Sequence, residues 1–126
     1  MGITCEISLI DDDPTEEQAV LFERLIRSLR DMPTEFLIFE FRNAKNGPGE
    51  QQGLVFFQLC RENGAIHSEV RIDRKDGIHM YARRMNDGET IGLLRWMIRT
   101  RTAPDINGWE DITEQALREP DDSEFE

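Results

Sequence analysis

The amino-acid sequence predicts a single α+β domain with a mostly antiparallel sheet of about five strands. Several short segments alternate apolar and polar residues, two longer ones repeat apolar residues at helical spacing, and Asn63-Gly64 is a typical hairpin turn. The predicted order along the chain is β-α-β-β-β-β-α-α, with the helices packed on one face of the sheet. We expect residues 1–118 to form the domain and residues 119–126 to form an acidic disordered tail.

The first third of the chain predicts a strand, a helix and a second strand. In residues 3–10 the apolar side chains alternate and share one face: Ile3, Cys5, Ile7 and Leu9. A helix should follow, because Asp13 can cap it, Pro14 fits the first helical position and Glu16 can reach back to the cap. Pro33 should end this helix. Residues 36–42 are apolar on both faces, and residues 43–53 have the glycine-rich, polar composition of a loop.

Residues 54–61, 66–73 and 78–83 predict three strands joined by tight turns. The Asn63-Gly64 turn sets the register of the first hairpin. For the second we predict a three-residue loop, Lys75-Asp76-Gly77, because that register gives the strands a shared apolar face. This register pairs Val55 with Ile72, Phe57 with Val70, Leu59 with Ser68, Ile72 with Met80, and Val70 with Ala82. The predicted buried face is Val55, Phe57, Leu59, Val70, Ile72, Ile78, Met80 and Ala82.

The last third predicts two helices. One runs from about Asp87 to Thr100, with Asn86 and Glu89 as a capping pair, and ends before Pro104. A short third helix is expected at 109–118. Trp96 is either partly buried against it or an exposed anchor for a partner.

The opposite face of the predicted sheet carries the candidate functional residues. One row across the three strands contains Phe56, Arg71 and Tyr81, and the next contains Gln58, Glu69 and Arg83. Arginine and aromatic residues are enriched at binding hot spots, and an arginine between two rings can stack on both. We therefore predict that these six residues bind a partner, with Phe36 and Ile38 extending the surface if they also face outward. The alternative is a self-contained ladder of side chains on a solvated sheet.

The net charge of −11 and its distribution restrict the partners. Residues 1–23 carry −7 and residues 105–126 carry −8, whereas residues 24–104 carry +4. This acidity argues against nucleic-acid binding, and the acidic ends either solubilise the protein or attract a partner with a basic surface. The chain has neither a membrane-spanning apolar run nor a signal-peptide start, so we expect a cytoplasmic protein with Cys5 and Cys60 reduced.

Cys60 and His67 are neighbours across the first hairpin and form the strongest candidate for catalysis, as a nucleophile and its base. No third orienting group or oxyanion hole accompanies them in the sequence. His67 and His79 lack a third metal ligand, and the aspartates at 11–13 lack the spacing of a calcium loop. We therefore expect a protein that is not an enzyme and that uses no cofactor or metal.

In size, acidity and layout the chain resembles the immunity proteins that neutralise bacterial effector toxins. The resemblance implies a folded toxin domain as the partner. A second hypothesis is an acidic secretion chaperone or adaptor that binds an extended client segment. A third is a small enzyme or ligand-binding domain that uses Cys60, His67, Glu69 or Tyr81. The sequence leaves open whether the protein is a monomer or a homodimer.

Overall fold

A computed structural model describes residues 3–9, 15–32, 35–41 and 53–116 of the chain. Its strands are β1 (Ile3–Leu9), β2 (Glu35–Phe41), β3 (Gly53–Glu62), β4 (Ala65–Arg74), β5 (Gly77–Met85) and β6 (Glu110–Asp111), and its helices are α1 (Glu16–Arg27) and α2 (Asp87–Thr100). The strands form one sheet in chain order; β1 and β2 are parallel, and all other neighbours are antiparallel. The α+β class and the mostly antiparallel sheet are therefore confirmed.

Several sequence predictions lie outside the described residues. They are the cap at Asp13 with Pro14 after it, the aspartates at 11–13, the loop up to residue 52, and everything from residue 117 onward, including the tail. The first helix ends at Arg27, with Ser28 as its C-cap, and so does not extend to Pro33 as predicted.

Helix α1 begins with a capping box at a different place from the predicted one. Thr15 Oγ1 accepts a hydrogen bond from the backbone N–H of Gln18 at 3.1 Å, and the Gln18 side chain accepts one from the backbone N–H of Thr15 at 2.8 Å. Glu16 is therefore the first helical residue and does not reach back to a cap. The sequence contains two overlapping capping patterns, Asp13 with Glu16 and Thr15 with Gln18. The structure shows the capping box of Thr15 and Gln18.

Helix α2 and its capping box are confirmed. The backbone N–H of Glu89 donates to Asn86 Oδ1 at 2.8 Å, and the backbone N–H of Asn86 donates to Glu89 Oε1 at 3.0 Å. The segment predicted as a third helix is different. In that segment, Glu110–Asp111 pairs with β5 as strand β6, and of the described residues 109–116 only 113–116 are helical. Backbone groups at the edge of a sheet need partners, and here Ile112 N–H donates to the carbonyl oxygen of Met80 at 2.9 Å.

One hydrophobic core lies between the sheet and the two helices. Phe22 of α1 meets Phe39 of β2 edge to face, with ring centroids 5.3 Å apart. The core also contains Ile26 of α1, Ile91, Leu94, Met97 and Ile98 of α2, and the sheet residues Leu37, Phe41, Leu54, Phe57, Leu59, Ile66, Val70 and Ile72. Both helices therefore cover the same face. Neither α1 nor α2 covers the opposite side, which we call the outer face.

The first hairpin confirms the predicted register from Phe57 onward, with Phe57 opposite Val70. Nearer the start of β3 a bulge interrupts the pairing, so that Leu54 instead of Val55 lies opposite Ile72. Leu54 is accordingly buried in the core. A bulge adds one unpaired residue and exchanges the faces on either side of it.

The predicted register of the second hairpin is wrong. The turn contains two residues, Lys75 and Asp76, and Arg74 pairs directly with Gly77. Tyr81 therefore lies opposite Val70 and is buried in the core, and Met80 lies on the outer face. Ala82 and Ile78 accompany Met80 there, where both had been predicted to face the core.

The physical reason is that β5 is apolar on both sides, so alternation alone does not select its register. Gly77 adopts a φ of 131°, which a residue with a side chain rarely adopts, and this allows the shorter turn.

Candidate functional site

The outer face brings together four of the six predicted binding residues. Phe56 of β3 pairs with Arg71 of β4, and Gln58 pairs with Glu69. The two rows continue to β2 and β5, where the register adds Glu40 and Met80 to the first row and Ile38 and Ala82 to the second.

Tyr81 and Arg83 lie on the other side of the sheet. Tyr81 is 7% exposed and stacks with the ring of His79, with centroids 6.3 Å apart. Arg83 is exposed and lines a surface groove beside Gly88 and Gly92 of α2. The one-residue difference in turn length accounts for both placements, because it reverses the faces of β5.

Apolar side chains flank β4 on the outer face, while β4 itself contributes His67, Glu69, Arg71 and Asp73 there. The apolar side chains come from three strands, and we call them the outer-face patch: Phe36, Ile38, Phe56, Ile78, Met80 and Ala82. Met80 and Ala82 are buried, whereas the other four are partly exposed. Phe36 and Ile38 thus extend the surface, as their alternation with the buried Leu37 and Phe39 requires.

Arg71 crosses this patch and is held by a carboxylate. Its Nε donates to Asp73 Oδ1 at 2.9 Å, and its Nη2 donates to Asp73 Oδ2 at 3.3 Å. The predicted stacking of Arg71 between two rings is wrong, since Tyr81 faces the core and the ring contacts of the described residues do not include Arg71. A two-pronged ion pair orients the guanidinium, and within the described part its Nη1 atom has no acceptor.

Two charged pairs lie at the end of the outer face near the turn between β3 and β4. His67 Nε2 lies 3.1 Å from Glu69 Oε2, and Arg84 Nη1 lies 3.5 Å from Glu62 Oε1. In both pairs, as in the Arg71–Asp73 pair between the apolar side chains, the described cation has an acid beside it. Such partly exposed pairs contribute little to stability, but they hold the side chains around the patch in fixed positions.

The chemistry of Cys60 and His67 opposes nucleophilic catalysis. Burial, followed by the nearby carboxylates of Glu62, Glu69 and Asp31, raises the pKa of the Cys60 thiol. The hydrogen bond with the Glu69 carboxylate is the main cause of a raised pKa at His67. A catalytic cysteine needs an accessible thiolate, and this pair has a thiol held in its neutral form and an imidazole bound to a carboxylate.

The described residues contain no group of three or more His, Cys, Asp and Glu side chains arranged to hold a metal ion. His67 is on the outer face, while His79 lies opposite Ile72 on the helix side and pairs with Asp76 at 2.7 Å. The two histidines therefore face away from each other.

None of the helices in the described ranges is both long and apolar enough to span a membrane.

Sequence reasoning missed Arg61, which lies on the helix side at the end of β3. Its side chain is 13% exposed. Nε donates to the carbonyl of Leu29 at 2.7 Å, Nη2 to that of Ile26 at 3.1 Å, and Nη1 and Nη2 to the Asp87 carboxylate at 2.9 and 3.2 Å. The end of α1 is thereby joined to the start of α2. The signal was available, because Arg61 continues the inward alternation of Phe57 and Leu59.

Comparisons of this chain with protein families, with characterised proteins and with solved structures find no significant match.

Proposed function

We propose that this chain is a non-catalytic protein-binding domain of the immunity type, which neutralises a bacterial toxin by binding it through the outer face. The observation that carries the proposal is the unequal covering of the sheet. Both helices pack on one side, while on the other side four apolar side chains of the outer-face patch, Phe36, Ile38, Phe56 and Ile78, are partly exposed beside paired charges. Contiguous apolar surface on a soluble protein commonly marks an interaction site.

The arrangement of the face fits the anatomy of an interface. Binding energy concentrates in apolar and arginine side chains near the centre, surrounded by polar contacts that exclude water. Phe56 and Arg71 occupy such a central position, side by side on β3 and β4. Because Asp73 already orients the Arg71 guanidinium, a partner would meet a side chain that loses little freedom on binding.

The charge distribution favours a basic partner. The net charge is −11, and the acids are concentrated toward the two ends of the chain. A negative field of this kind accelerates association with a positive surface and weakens as salt is added. A basic toxin domain has the required complementarity.

The proposal is tested by affinity capture from native lysate at low and high salt, followed by expression of the captured protein with and without this chain. We expect the captured protein to arrest growth when expressed alone and growth to recover when this chain is co-expressed. The Phe56→Ala/Arg71→Ala double variant should keep the fold, because both side chains point away from the core, and weaken binding by more than about 1 kcal/mol.

Arg99→Ala provides the matched control, since Arg99 is an exposed arginine on α2, on the helix side of the sheet. It should bind and protect like the wild-type protein.

Tyr81 is unsuitable as a binding variant because its removal would open a cavity in the core. Normal binding by the double variant would show that the outer face is not the interface, and a captured protein that is harmless when expressed alone would exclude the immunity role.

A second candidate function, that of a secretion chaperone or adaptor, is favoured by one feature of β5. Strand β6 pairs only with Tyr81 and Ala82, and beyond them Arg83 and Met85 border the groove against α2. An extended client segment can bind such an edge as an added strand. A captured partner that binds only through an unfolded terminal segment, with affinity unaffected by Phe56→Ala/Arg71→Ala, would select this function over the first.

A further inference from the structure

Helix α1 exposes apolar side chains on the side that faces away from the sheet. Among the described residues, the large apolar side chains that are exposed are Val20, Leu21 and Met32, at 42%, 49% and 37%. Val20 and Leu21 are adjacent, and at 3.6 residues per turn they lie opposite the buried Phe22 and Ile26. With the residues one turn before and after, they form a continuous surface that we call the α1 stripe: Glu17, Val20, Leu21 and Arg24. The stripe, together with Glu16, lines a shallow depression of about 310 Å³.

The charges of the α1 stripe are symmetric about its apolar centre. Glu17 precedes Val20 by three residues, and Arg24 follows Leu21 by three. Two other charged side chains of this helix region form ion pairs within the protein, Glu23 with Arg95 and Arg30 with Glu35. Within the described part of the chain, Glu17 and Arg24 form no ion pair, so their charges are available to a partner.

We propose that the α1 stripe binds a second copy of this chain, with the two α1 helices antiparallel around a twofold axis at Val20 and Leu21. A twofold axis makes every contact occur twice. It therefore places Glu17 against Arg24 of the partner subunit and Arg24 against Glu17 of the partner subunit, around a centre in which Val20 meets Leu21 of the partner subunit. In a parallel arrangement, like charges would meet at both ends.

The dimer is weak and reversible, because two helices of 12 residues bury much less than the roughly 1,200 Å² of a standard protein–protein interface. This inference goes beyond the proposed function and does not depend on it. The α1 stripe and the outer face lie on opposite sides of the molecule. Dimerisation therefore leaves both outer faces accessible, and the assembly has two partner-binding surfaces.

Charge-reversal variants of the full chain test the geometry by sedimentation at increasing concentration. The wild-type chain should associate reversibly at high concentration. Glu17→Arg and Arg24→Glu should each weaken self-association about fivefold or more, since each converts two attractive contacts into repulsive ones. An equimolar mixture of the two variants should recover association at least to the wild-type level, because every antiparallel contact is then between opposite charges.

The double variant Glu17→Arg/Arg24→Glu separates the antiparallel from the parallel arrangement. Alone it should associate like the wild type, and it should not associate with the wild type, where like charges would meet. Leu21→Asp should abolish the dimer, while Met32→Asp serves as the matched control, with an exposed apolar side chain outside the stripe, and should leave it unchanged. Circular dichroism checks that each variant is folded. A wild-type chain that remains monomeric at millimolar concentration, or a mixture no more associated than its components, overturns the proposal.

Discussion

Two arginines on neighbouring strands illustrate how placement on the sheet decides the role of a side chain. Arg61 points toward the helices and is almost entirely used by the fold, with acceptors on α1 and α2. Arg71 points to the outer face, where Asp73 holds it and no other described residue does. The residue type is the same and the strand periodicity is the same. What differs is which face the helices cover, and this makes one arginine structural and the other a candidate for binding.

At the residue scale, His67 should make stability depend on pH. Its pKa in the folded protein is raised, mainly by the hydrogen bond to the Glu69 carboxylate, whereas the unfolded chain has the ordinary value near 6.5. The folded state thus favours the protonated imidazole. The resulting stabilisation is fully present below about pH 6.5 and is lost as the pH rises through the raised pKa.

We expect the urea midpoint of the wild-type protein to fall, through this effect, as the pH rises above about 6.5. Glu69→Gln removes the negative charge and keeps the shape, so its midpoint should change less over the same range. Parallel curves for the two proteins would mean that the His67–Glu69 contact does not couple protonation to folding.

Patterns of residues close in sequence predicted most of the helices and strands correctly, and predicted the turns and registers between them less well. The Asn86–Glu89 capping box and the Asn63-Gly64 turn each involve residues close in sequence, and both form as expected. The second hairpin differs because both faces of β5 are apolar, so its register depends on which side chains fit under the helices. Tyr81 takes the core position opposite Val70, and this moved two predicted binding residues off the outer face.

Arg61 connects three elements, because its side chain extends from β3 to the end of α1 and the start of α2. Arg61→Ala should destabilise the protein by about 2–4 kcal/mol, since it leaves the carbonyls of Ile26 and Leu29 and the carboxylate of Asp87 without their donor. Chemical unfolding followed by circular dichroism measures the change. Arg99→Ala, at an exposed position on α2, should alter the free energy of unfolding by less than about 0.5 kcal/mol. A similar small change for Arg61→Ala would show that water replaces its hydrogen bonds without cost.

At the scale of the whole molecule, the charge of −11 acts on stability as well as on binding. Excess charge of one sign repels itself in the compact state. Added salt shortens the screening length from about 30 Å at 0.01 M to about 8 Å at 0.15 M. It therefore weakens repulsion between distant acids more than attraction within close pairs such as Arg61–Asp87.

We expect the thermal midpoint at pH 7 to rise as sodium chloride increases from about 10 to about 150 mM. Near pH 4.6, the isoelectric point of the sequence, the same titration should produce little rise, because the net charge is then close to zero. A midpoint that falls with salt at pH 7 would show that the local ion pairs outweigh the net repulsion.

The fold class, most of the segments, the register of the first hairpin from Phe57 onward and the acidic ends follow from the sequence alone, because each depends on composition or on residues close along the chain. The face of β5 that packs under the helices, the joining of the helices by Arg61 and the set of side chains on the outer face are seen only in the folded structure. These depend on packing between distant elements. Phe56 and Arg71 were placed together correctly by the first hairpin, whereas Met80 and Ala82 joined them only once the helices had selected the core face of β5.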